Sequence, residues 1–292
     1  MPEEQEKVTD LQTFLKQLPT HREEIKDGYF YRGQADATWE LLPAILRNGR
    51  EEKEHDIYNY IMTECAQEFD GLSSHAEILS KMQHYGVPTR LLDVTNNPLV
   101  ALYFACEETE NDGVVFWMKA DDRDGIKSFD SDTISILSCL SRFNNIEKNE
   151  ISKLINSIRG GGRAQVICTE EEIQGFNSNE LIKRLLHEIK KEKPAFEDCI
   201  FPDDLIKKFF FIPKKNNARI IRQGGAFVIY GLENIDPSGT KRQQFNGRFG
   251  KIVIDKAYKQ VIKEELSYIN ISKATLFPEL YKVAEFVKEK YG

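Results

Sequence analysis

The sequence predicts an α+β fold in which strands from both ends of one chain share a sheet flanked by helices. Three observations favour this fold. Short aromatic and β-branched runs, typical of strands, occur near both ends of the chain. Apolar residues at the 3.6-residue period of helices fill the segments between these runs. Residues 120–215 are charged and rich in helical patterns, which predicts a mainly helical insertion that caps or flanks the sheet.

Each predicted element of the first 118 residues has a local signal. These elements are helices over 8–18, 52–70, 74–85 and 99–108 and strands over 28–33, 89–94 and 114–118. Gly86 and Pro88 stop the helix that precedes them. Pro98 suits the first turn of the helix that follows it. The short segment 89–94 is dominated by apolar residues, which indicates a buried strand.

The later elements follow from similar signals. They are helices from Thr169 and over 181–193, strands over 225–231 and 250–254, a helix over 257–266 and a terminal amphipathic helix. The acidic residues after Thr169 suit the positive end of a helix dipole. The glycine run Gly160–Gly162 predicts a hinge or linker. A phosphate-binding loop is disfavoured there, because the segment lacks the Lys-Ser/Thr ending of a Walker motif and the spacing of a dinucleotide fingerprint.

Composition excludes several classes of function. The 292 residues allow one large domain or two ordinary ones. A net charge of −7 argues against broad coating of nucleic acid. The five cysteines form no CxxC pair, so the expectation is buried free thiols with no disulfide framework and no metal site. The acidic segment 1–7 does not resemble a signal peptide, and no apolar run approaches the ~20 residues of a membrane span, so a cytoplasmic protein is expected.

Three segments concentrate polar residues among apolar neighbours. They are 30–34, 84–95 and 219–227, and together they carry Arg32, His84, Asp93 and Gln223. Burying polar groups costs stability unless each finds a partner, and proteins tolerate that cost at sites or in tight structural networks. The sequence therefore predicts that the three segments meet around one cleft.

These segments resemble the FRG domain family, which is named for an aromatic-Arg-Gly motif. Tyr31–Gln34 (YRGQ) matches that motif, and His84–Asp93 (HYGVPTRLLD) is close to the most characteristic segment of the family, although Val94 replaces its usual tryptophan. Gln223–Phe227 and Leu276–Leu280 match its C-terminal motifs. The resemblance implies an FRG domain over 22–281, preceded by an N-terminal helix in 1–21 and followed by a C-terminal helix in 282–292.

A second, weaker resemblance is to the Arg-Ser-Glu class of ADP-ribosyltransferases. It implies a split β-sheet that clamps NAD, which these enzymes use as a substrate. It places Arg32 at the NAD phosphates or the nearby ribose, and Thr89 or Thr95 in the role of an orienting hydroxyl. The glutamate that these enzymes carry on a late strand falls at or near Gln223. Either Asp93 or Glu279 supplies the negative charge from elsewhere, or the reaction is different, or the domain binds a nucleotide without turning it over.

The two resemblances together imply a set of site residues. The catalytic candidates are Arg32, His84, Asp93 and Gln223, and the NAD-binding candidates are Tyr31, Arg32, Gly33, Gln34, Tyr85, Thr89, Arg90 and Thr95. Structural alternatives stay open for several of them. In the structural interpretation, Arg32 pairs with Asp93 in a buried salt bridge. His84 then caps the C-terminus of one helix, and Thr95 caps the start of the next one.

Two further segments have structural explanations that are favoured over functional ones. Leu276–Leu280 is interpreted as a packing anchor, because apolar residues dominate it. Residues 207–219 interleave basic and aromatic side chains, as on single-strand nucleic-acid surfaces. A hydrophobic strand with solvated lysines at its ends is the favoured interpretation of that pattern.

The function implied is an ADP-ribosyltransferase-like enzyme that cleaves NAD and transfers ADP-ribose to a macromolecule, either protein or RNA. Such an enzyme would act as a bacterial toxin or phage-defence effector, with an antitoxin or regulatory protein as a further partner. The alternatives are a non-catalytic nucleotide- or partner-binding FRG module and an NAD hydrolase.

Overall fold

The aromatic and β-branched runs near both ends of the chain do share one sheet, so the predicted α+β class is confirmed. The computed structural model describes residues 6–19, 28–120, 126–159, 168–232 and 248–279, with Ala284 and Val287 beyond them. The strands are β1 (Tyr29–Gln34), β2 (Leu91–Thr95), β3 (Gly113–Lys119), β4 (Ile126–Ser128), β5 (Lys208–Ile212), β6 (Gly225–Tyr230) and β7 (Phe249–Ile254). Their order in the sheet is β4-β5-β6-β2-β1-β3-β7. Only β4 and β5 pair in parallel among these described strands.

Helices α4 and α7 begin at the proline and the cap that the sequence marks, Pro98 and Thr169. They are α1 (Leu11–Gln17), α2 (Glu54–Glu64), α3 (His75–His84), α4 (Pro98–Ala105), α5 (Asp132–Cys139), α6 (Asn145–Arg159), α7 (Glu170–Asn177), α8 (Glu180–Glu192), α9 (Ala218–Arg222), α10 (Lys259–Tyr268) and α11 (Lys273–Leu276). Thr169 and Glu172 form a capping box at the start of α7. No helix in the described part of the chain is long and apolar enough to cross a membrane.

The sheet is nearly divided between β1 and β2. Those two strands pair only at Tyr31 and Thr95 in the described chain, whereas β1 pairs with β3 from Tyr29 to Gln34. Strand β2 pairs with β6 from Leu91 to Thr95. The two halves of the sheet therefore diverge beside one point of contact, and a cleft opens there.

Close packing of α4 holds the β1 half of this cleft in place. A Cβ atom on Gly33 would lie 1.8 Å from the carbonyl oxygen of Ala101. Glycine is thus required here for the approach of a strand to a helix backbone. Val100, Ala101 and Leu102 are buried on this side of the sheet.

The insertion over 120–215 is helical at its centre but not at its ends. Helices α5–α8 pack their apolar faces with α2 and α3 in one core cluster that also includes Leu91 and Ile229 of the sheet. The expectation of a mainly helical insertion needs one correction, because β4 and β5 are themselves strands of the central sheet. Phe209, Phe210 and Phe211 of β5 are buried, so segment 207–219 supplies a core strand and offers no aromatic platform there.

Some predictions fall on residues that the structure does not describe. The hinge at 160–162 lies outside the described residues, as does the C-terminal helix in 282–292 apart from Ala284 and Val287, which are helical. A helix is present near the N-terminus as α1, but Val8 lies before it and pairs with Ile254 of β7. The division of the chain into an N-terminal helix, a domain over 22–281 and a C-terminal helix stays a prediction.

Candidate functional site

The three polar segments meet at the split in the sheet, around a cavity of about 250 Å³. Strand β1 contributes Tyr31, Arg32 and Gly33, and β2 contributes Asp93 and Thr95. The remaining lining side chains come from the end of α3, from α4, from α9 and from the start of β6. A cavity with apolar walls and a few convergent polar groups is the usual form of a small-molecule site.

The Arg32 guanidinium makes one hydrogen bond at this cleft, and one of its other N–H donors has no partner among the described residues. Its Nη1 donates to the backbone carbonyl of Asp93 at 2.7 Å, across the split. Its side chain is half-buried, yet the Nε atom is enclosed and has no hydrogen-bond partner among the described residues. Burial lowers the pKa of the Arg32 guanidinium, and the nearby Asp93 charge opposes that shift. An anion that reached Nε would satisfy the donor and stabilise the charge.

The Asp93 carboxylate is exposed to the cleft and is oriented by a relay of two consecutive hydrogen bonds. Gln83 Nε2 donates to Asp93 Oδ2 at 2.6 Å, and Thr89 Oγ1 donates to Gln83 Oε1 at 2.7 Å. Thr89 is buried outside the cavity lining, so it reaches the cleft only through Gln83. The relay leaves the second carboxylate oxygen of Asp93 available to a ligand.

Thr95 and Gln223 tie the end of β2 to the turn before β6. Thr95 Oγ1 donates to the backbone carbonyl of Gln223 at 2.6 Å and accepts from the backbone N–H of Asn97 at 3.0 Å. Asn97, not Thr95, caps α4 through a bond from Leu99 N. Gln223 Nε2 donates to the backbone carbonyl of Leu276 at 3.1 Å. Both side chains line the cavity, but these bonds already engage the Thr95 hydroxyl and the amide nitrogen of Gln223.

His84 and Glu279 form a second polar pair at the cleft. His84 Nε2 lies 3.7 Å from Glu279 Oε1, and neither carboxylate oxygen of Glu279 has a hydrogen-bond partner among the described residues. Burial and the charge of Arg219 lower the pKa of His84, although Glu279 and Asp93 oppose the shift. The lowered pKa favours the unprotonated imidazole, which is the form able to accept a proton.

Arg219 adds a second cation to the cleft. Its guanidinium carbon lies 4.7 Å from the centroid of the Phe277 ring, and that ring packs edge-on against Phe104 at 6.0 Å. The segment around Phe277 thus serves as the packing anchor that the sequence predicted. Sequence reasoning noted Arg219 in a polar segment without assigning it to the site, and it missed Gln83 and Phe104. Only the basic character of α9 pointed to Arg219, while the other two look like ordinary helical residues.

Arg90 belongs to a structural ion cluster away from the cavity lining. Its Nε donates to Glu54 Oε1 at 2.8 Å, its Nη2 contacts Glu54 Oε2, and its Nη1 donates to the carbonyl of Tyr230 at 2.8 Å. Lys148 Nζ contacts the same Glu54 carboxylate. All three charged side chains are buried, so Arg90 has no free donor directed at a ligand.

The structure thus brings together Tyr31, Arg32, Gly33, His84, Asp93, Thr95 and Gln223, and it leaves Gln34, Tyr85, Thr89 and Arg90 outside the cavity lining. Gln34 is buried and donates to the carbonyl of Glu40 at 3.3 Å. Tyr85 is 67% exposed and lines a neighbouring cavity of about 230 Å³. His84 lines both cavities, as do Ser80 and Ile220.

Comparison with known proteins supports one of the two resemblances. The chain has no match among curated proteins and none among solved structures. Residues 27–113 match the family model of the FRG domain, a range that includes the Tyr31–Gln34 and His84–Asp93 motifs and both strands that flank the cleft. The resemblance to the FRG family is therefore supported over 27–113.

Proposed function

We propose that the cleft between β1 and β2 binds NAD, and that the protein is an ADP-ribosyltransferase-like enzyme that passes ADP-ribose to a macromolecule. The observation that carries this proposal is Arg32, which lines the cavity at the split in the sheet and whose enclosed Nε donor has no partner among the described residues. A buried guanidinium donor of this kind suits a phosphate oxygen.

The diphosphate of NAD fits the two cations of the cleft. A hydrogen bond to the carbonyl of Asp93 holds the Arg32 guanidinium in place. The Arg219 guanidinium is held by its contact with the Phe277 ring. Neither guanidinium needs to reorganise in order to meet an anion, which lowers the cost of binding. The split between the strands also supports the proposal, because the resemblance to ADP-ribosyltransferases implies a split sheet that clamps NAD.

Asp93 is the carboxylate best placed to act on the nicotinamide ribose. It lines the cavity, is exposed to it, and is oriented by Gln83. As the bond between C1′ and the nicotinamide nitrogen breaks, its electron pair leaves with nicotinamide and positive charge develops on the ribose. A carboxylate held nearby stabilises that charge. Gln223 cannot do so, and its bond to the Leu276 carbonyl makes it a positioning residue.

His84 completes the transfer in this proposal. The acceptor nucleophile adds to C1′ and gives its proton to the unprotonated imidazole of His84. Glu279 Oε1 lies 3.7 Å from Nε2 of that imidazole and stabilises the imidazolium that forms. His84 lines both cavities, so an acceptor in the neighbouring cavity and NAD in the cleft approach the same side chain.

The test is incubation of the protein with NAD labelled on the adenylate, alone and with cell lysate or total RNA. Label on a macromolecule is expected, and it names the acceptor as protein or RNA. Arg32→Ala should lower the turnover of NAD by at least roughly 100-fold while the fold is retained, and Arg32→Lys should restore little, because lysine lacks the planar fork. Arg222→Ala, on the exposed side of α9, is the matched control.

A non-catalytic nucleotide-binding module is the second candidate, because a glutamine stands where the resembled enzymes carry a glutamate. Intact NAD in every mixture, from folded protein, would favour this module. Free ADP-ribose without a labelled macromolecule would instead indicate an NAD hydrolase. A role as a toxin or phage-defence effector with a protein antitoxin rests on the transferase result.

A further inference from the structure

Three side chains of metal-ligand type converge in the helical part of the molecule, outside the cleft. His75 begins α3, while Cys139 and Glu192 end α5 and α8. One donor atom from each, a ring nitrogen, the Sγ atom and a carboxylate oxygen, lies within 4.8 Å of the others. We propose that His75, Cys139 and Glu192 bind a zinc ion.

The donor set is one that zinc prefers. Imidazole nitrogen, thiolate sulfur and carboxylate oxygen are its usual protein ligands, at about 2.0–2.3 Å from the metal. Tetrahedral geometry at those bond lengths sets donor atoms roughly 3.3–3.8 Å apart. The three donor atoms lie within 4.8 Å of one another and would move closer together on binding, and a water molecule would take the fourth position.

Neighbouring groups already orient two of the three ligands. Tyr58 Oη forms a 2.8 Å hydrogen bond with His75 Nδ1, which leaves Nε2 for a metal. Outer hydrogen bonds of this kind set the tautomer of a ligating histidine. Glu192 Oε2 accepts from the backbone N–H of His75 at 2.7 Å. The other oxygen, Oε1, is enclosed and has no hydrogen-bond partner among the described residues.

The charges around the cluster allow a divalent cation. A thiolate and a carboxylate balance its two positive charges. The guanidinium carbon of Arg142 lies 5.3 Å from the centroid of the Tyr58 ring, and its Nε atom lies 3.8 Å from Glu188 Oε2. Lys191 pairs with the same Glu188 at 2.7 Å. Glu188 therefore compensates part of the positive charge beside the cluster.

A metal ion at this cluster would stabilise the packing of three helices, and it would affect the cleft only through one of them. It would join α3, α5 and α8 at one point within the largest core cluster. Helix α3 begins at His75 and ends with Gln83 and His84, which line the cleft. A zinc ion would thus fix the helix that orients Asp93. This inference does not depend on the proposed NAD chemistry.

The experiment uses full-length protein freed of metal by a chelator and titrated with Co²⁺ alone. One equivalent is expected to produce the intense thiolate-to-cobalt charge-transfer band and the visible bands of tetrahedral cobalt. Zn²⁺ should displace the cobalt and raise the midpoint of thermal unfolding. Cys139→Ser should abolish the charge-transfer band, and His75→Gln should weaken binding at least roughly 10-fold.

Cys106→Ser is the matched control, because Cys106 is equally buried but belongs to a different core cluster. That variant should keep the cobalt spectrum of the unaltered protein. A folded, unaltered chain that gives no thiolate-to-cobalt band at several equivalents of Co²⁺ would overturn the proposal, and this result does not require any variant to fold. A band that persists in folded Cys139→Ser but disappears in Cys106→Ser would also overturn it.

Discussion

At the scale of single residues, the charged side chains with enclosed polar atoms fall into two groups. Some pair with one another, and others keep an enclosed polar atom without a hydrogen-bond partner among the described residues. Glu54, Arg90 and Lys148 satisfy one another in the protein interior. Arg32 and Glu279, by contrast, keep polar atoms without hydrogen-bond partners among the described residues. Because an unpaired buried group costs more than a paired one contributes, the open groups are the better guide to a ligand.

Glu54→Gln should destabilise the fold by about 3–5 kcal/mol, because two buried cations lose their counter-charge. Burial alone would raise the pKa of Glu54, but Arg90 and Lys148 outweigh it and lower that pKa from 4.5 to about 2. The folded state therefore binds fewer protons than the unfolded state between these values. The stabilisation, about 3 kcal/mol, is present above pH 4.5 and is lost as the pH falls towards 2.

Urea denaturation of Glu54→Gln and the unaltered protein at pH 7 and near pH 3 measures this effect. The difference in free energy of unfolding should shrink at the lower pH. Glu52→Gln, an exposed neighbour, should change stability by less than about 0.5 kcal/mol. A gap that is as large near pH 3 as at pH 7 would show that the charge of Glu54 is not what stabilises the cluster.

Gln223→Glu should increase the cleavage of NAD if Gln223 occupies the late-strand position of the resembled enzymes. A carboxylate cannot donate to the carbonyl of Leu276, so it would turn into the cleft and place charge near the ribose. Gln223→Met loses the same hydrogen bond without adding charge and serves as control. Rates of nicotinamide release measure the effect, and equal rates in both variants would count against the placement.

At the scale of elements, two close approaches shape the cleft. Gly33 allows β1 to lie against α4. Gly224, at a φ of 55°, turns the chain from α9 into β6, and a Cβ atom there would lie 2.3 Å from Asn96 Oδ1. Gly33 is required by a helix backbone, and Gly224 by its left-handed conformation and the Asn96 side chain, so both act on the cleft through packing.

Gly33→Ala should destabilise the protein by at least about 2 kcal/mol, because the new methyl group would collide with the carbonyl of Ala101. Gly175→Ala, inside α7, is the matched substitution, since nothing lies within 4 Å of its added Cβ. It should be neutral or stabilising by up to about 1 kcal/mol, as in other helix interiors. Thermal unfolding compares the two, and equal midpoints would argue against the tight contact of β1 with α4.

At the scale of the whole molecule, the cleft joins the two halves of the sheet. Strands β6 and β2 belong to one half, and β1 and β3 to the other. A ligand held by Arg32 on one side and Arg219 on the other bridges these halves. Binding should therefore stabilise the entire fold against unfolding.

NAD at 100 times its dissociation constant should add about 2.7 kcal/mol to the stability of the folded state, which raises the unfolding midpoint by several degrees. Arg219→Ala should reduce this shift, because it removes one cation from the cleft. Arg222→Ala, on the same helix but outside the cavity lining, should leave it unchanged. Scanning calorimetry measures the shift, and its absence in the unaltered protein would contradict NAD binding.

The sequence by itself determined the local elements and the residues that gather at the cleft. Helix periods, caps, prolines and glycines are local signals, so α3, α4, α10 and most strands lie close to where they were predicted. The polar segments around Arg32, Asp93 and Gln223 stood out because polar residues interrupt apolar runs. That contrast also depends only on neighbours in the chain.

Only the tertiary structure decided which polar residues face the cleft and which satisfy one another. Arg90 and Asp93 stand in the same segment, yet Arg90 is engaged by Glu54 and by the carbonyl of Tyr230, both far from it in sequence. His75, Cys139 and Glu192 come from three helices and show no ligand spacing along the chain. Strand β5 joins the sheet although it follows a helical segment. Pairing over such separations is set by the packing of whole elements, which leaves no periodic trace in the sequence.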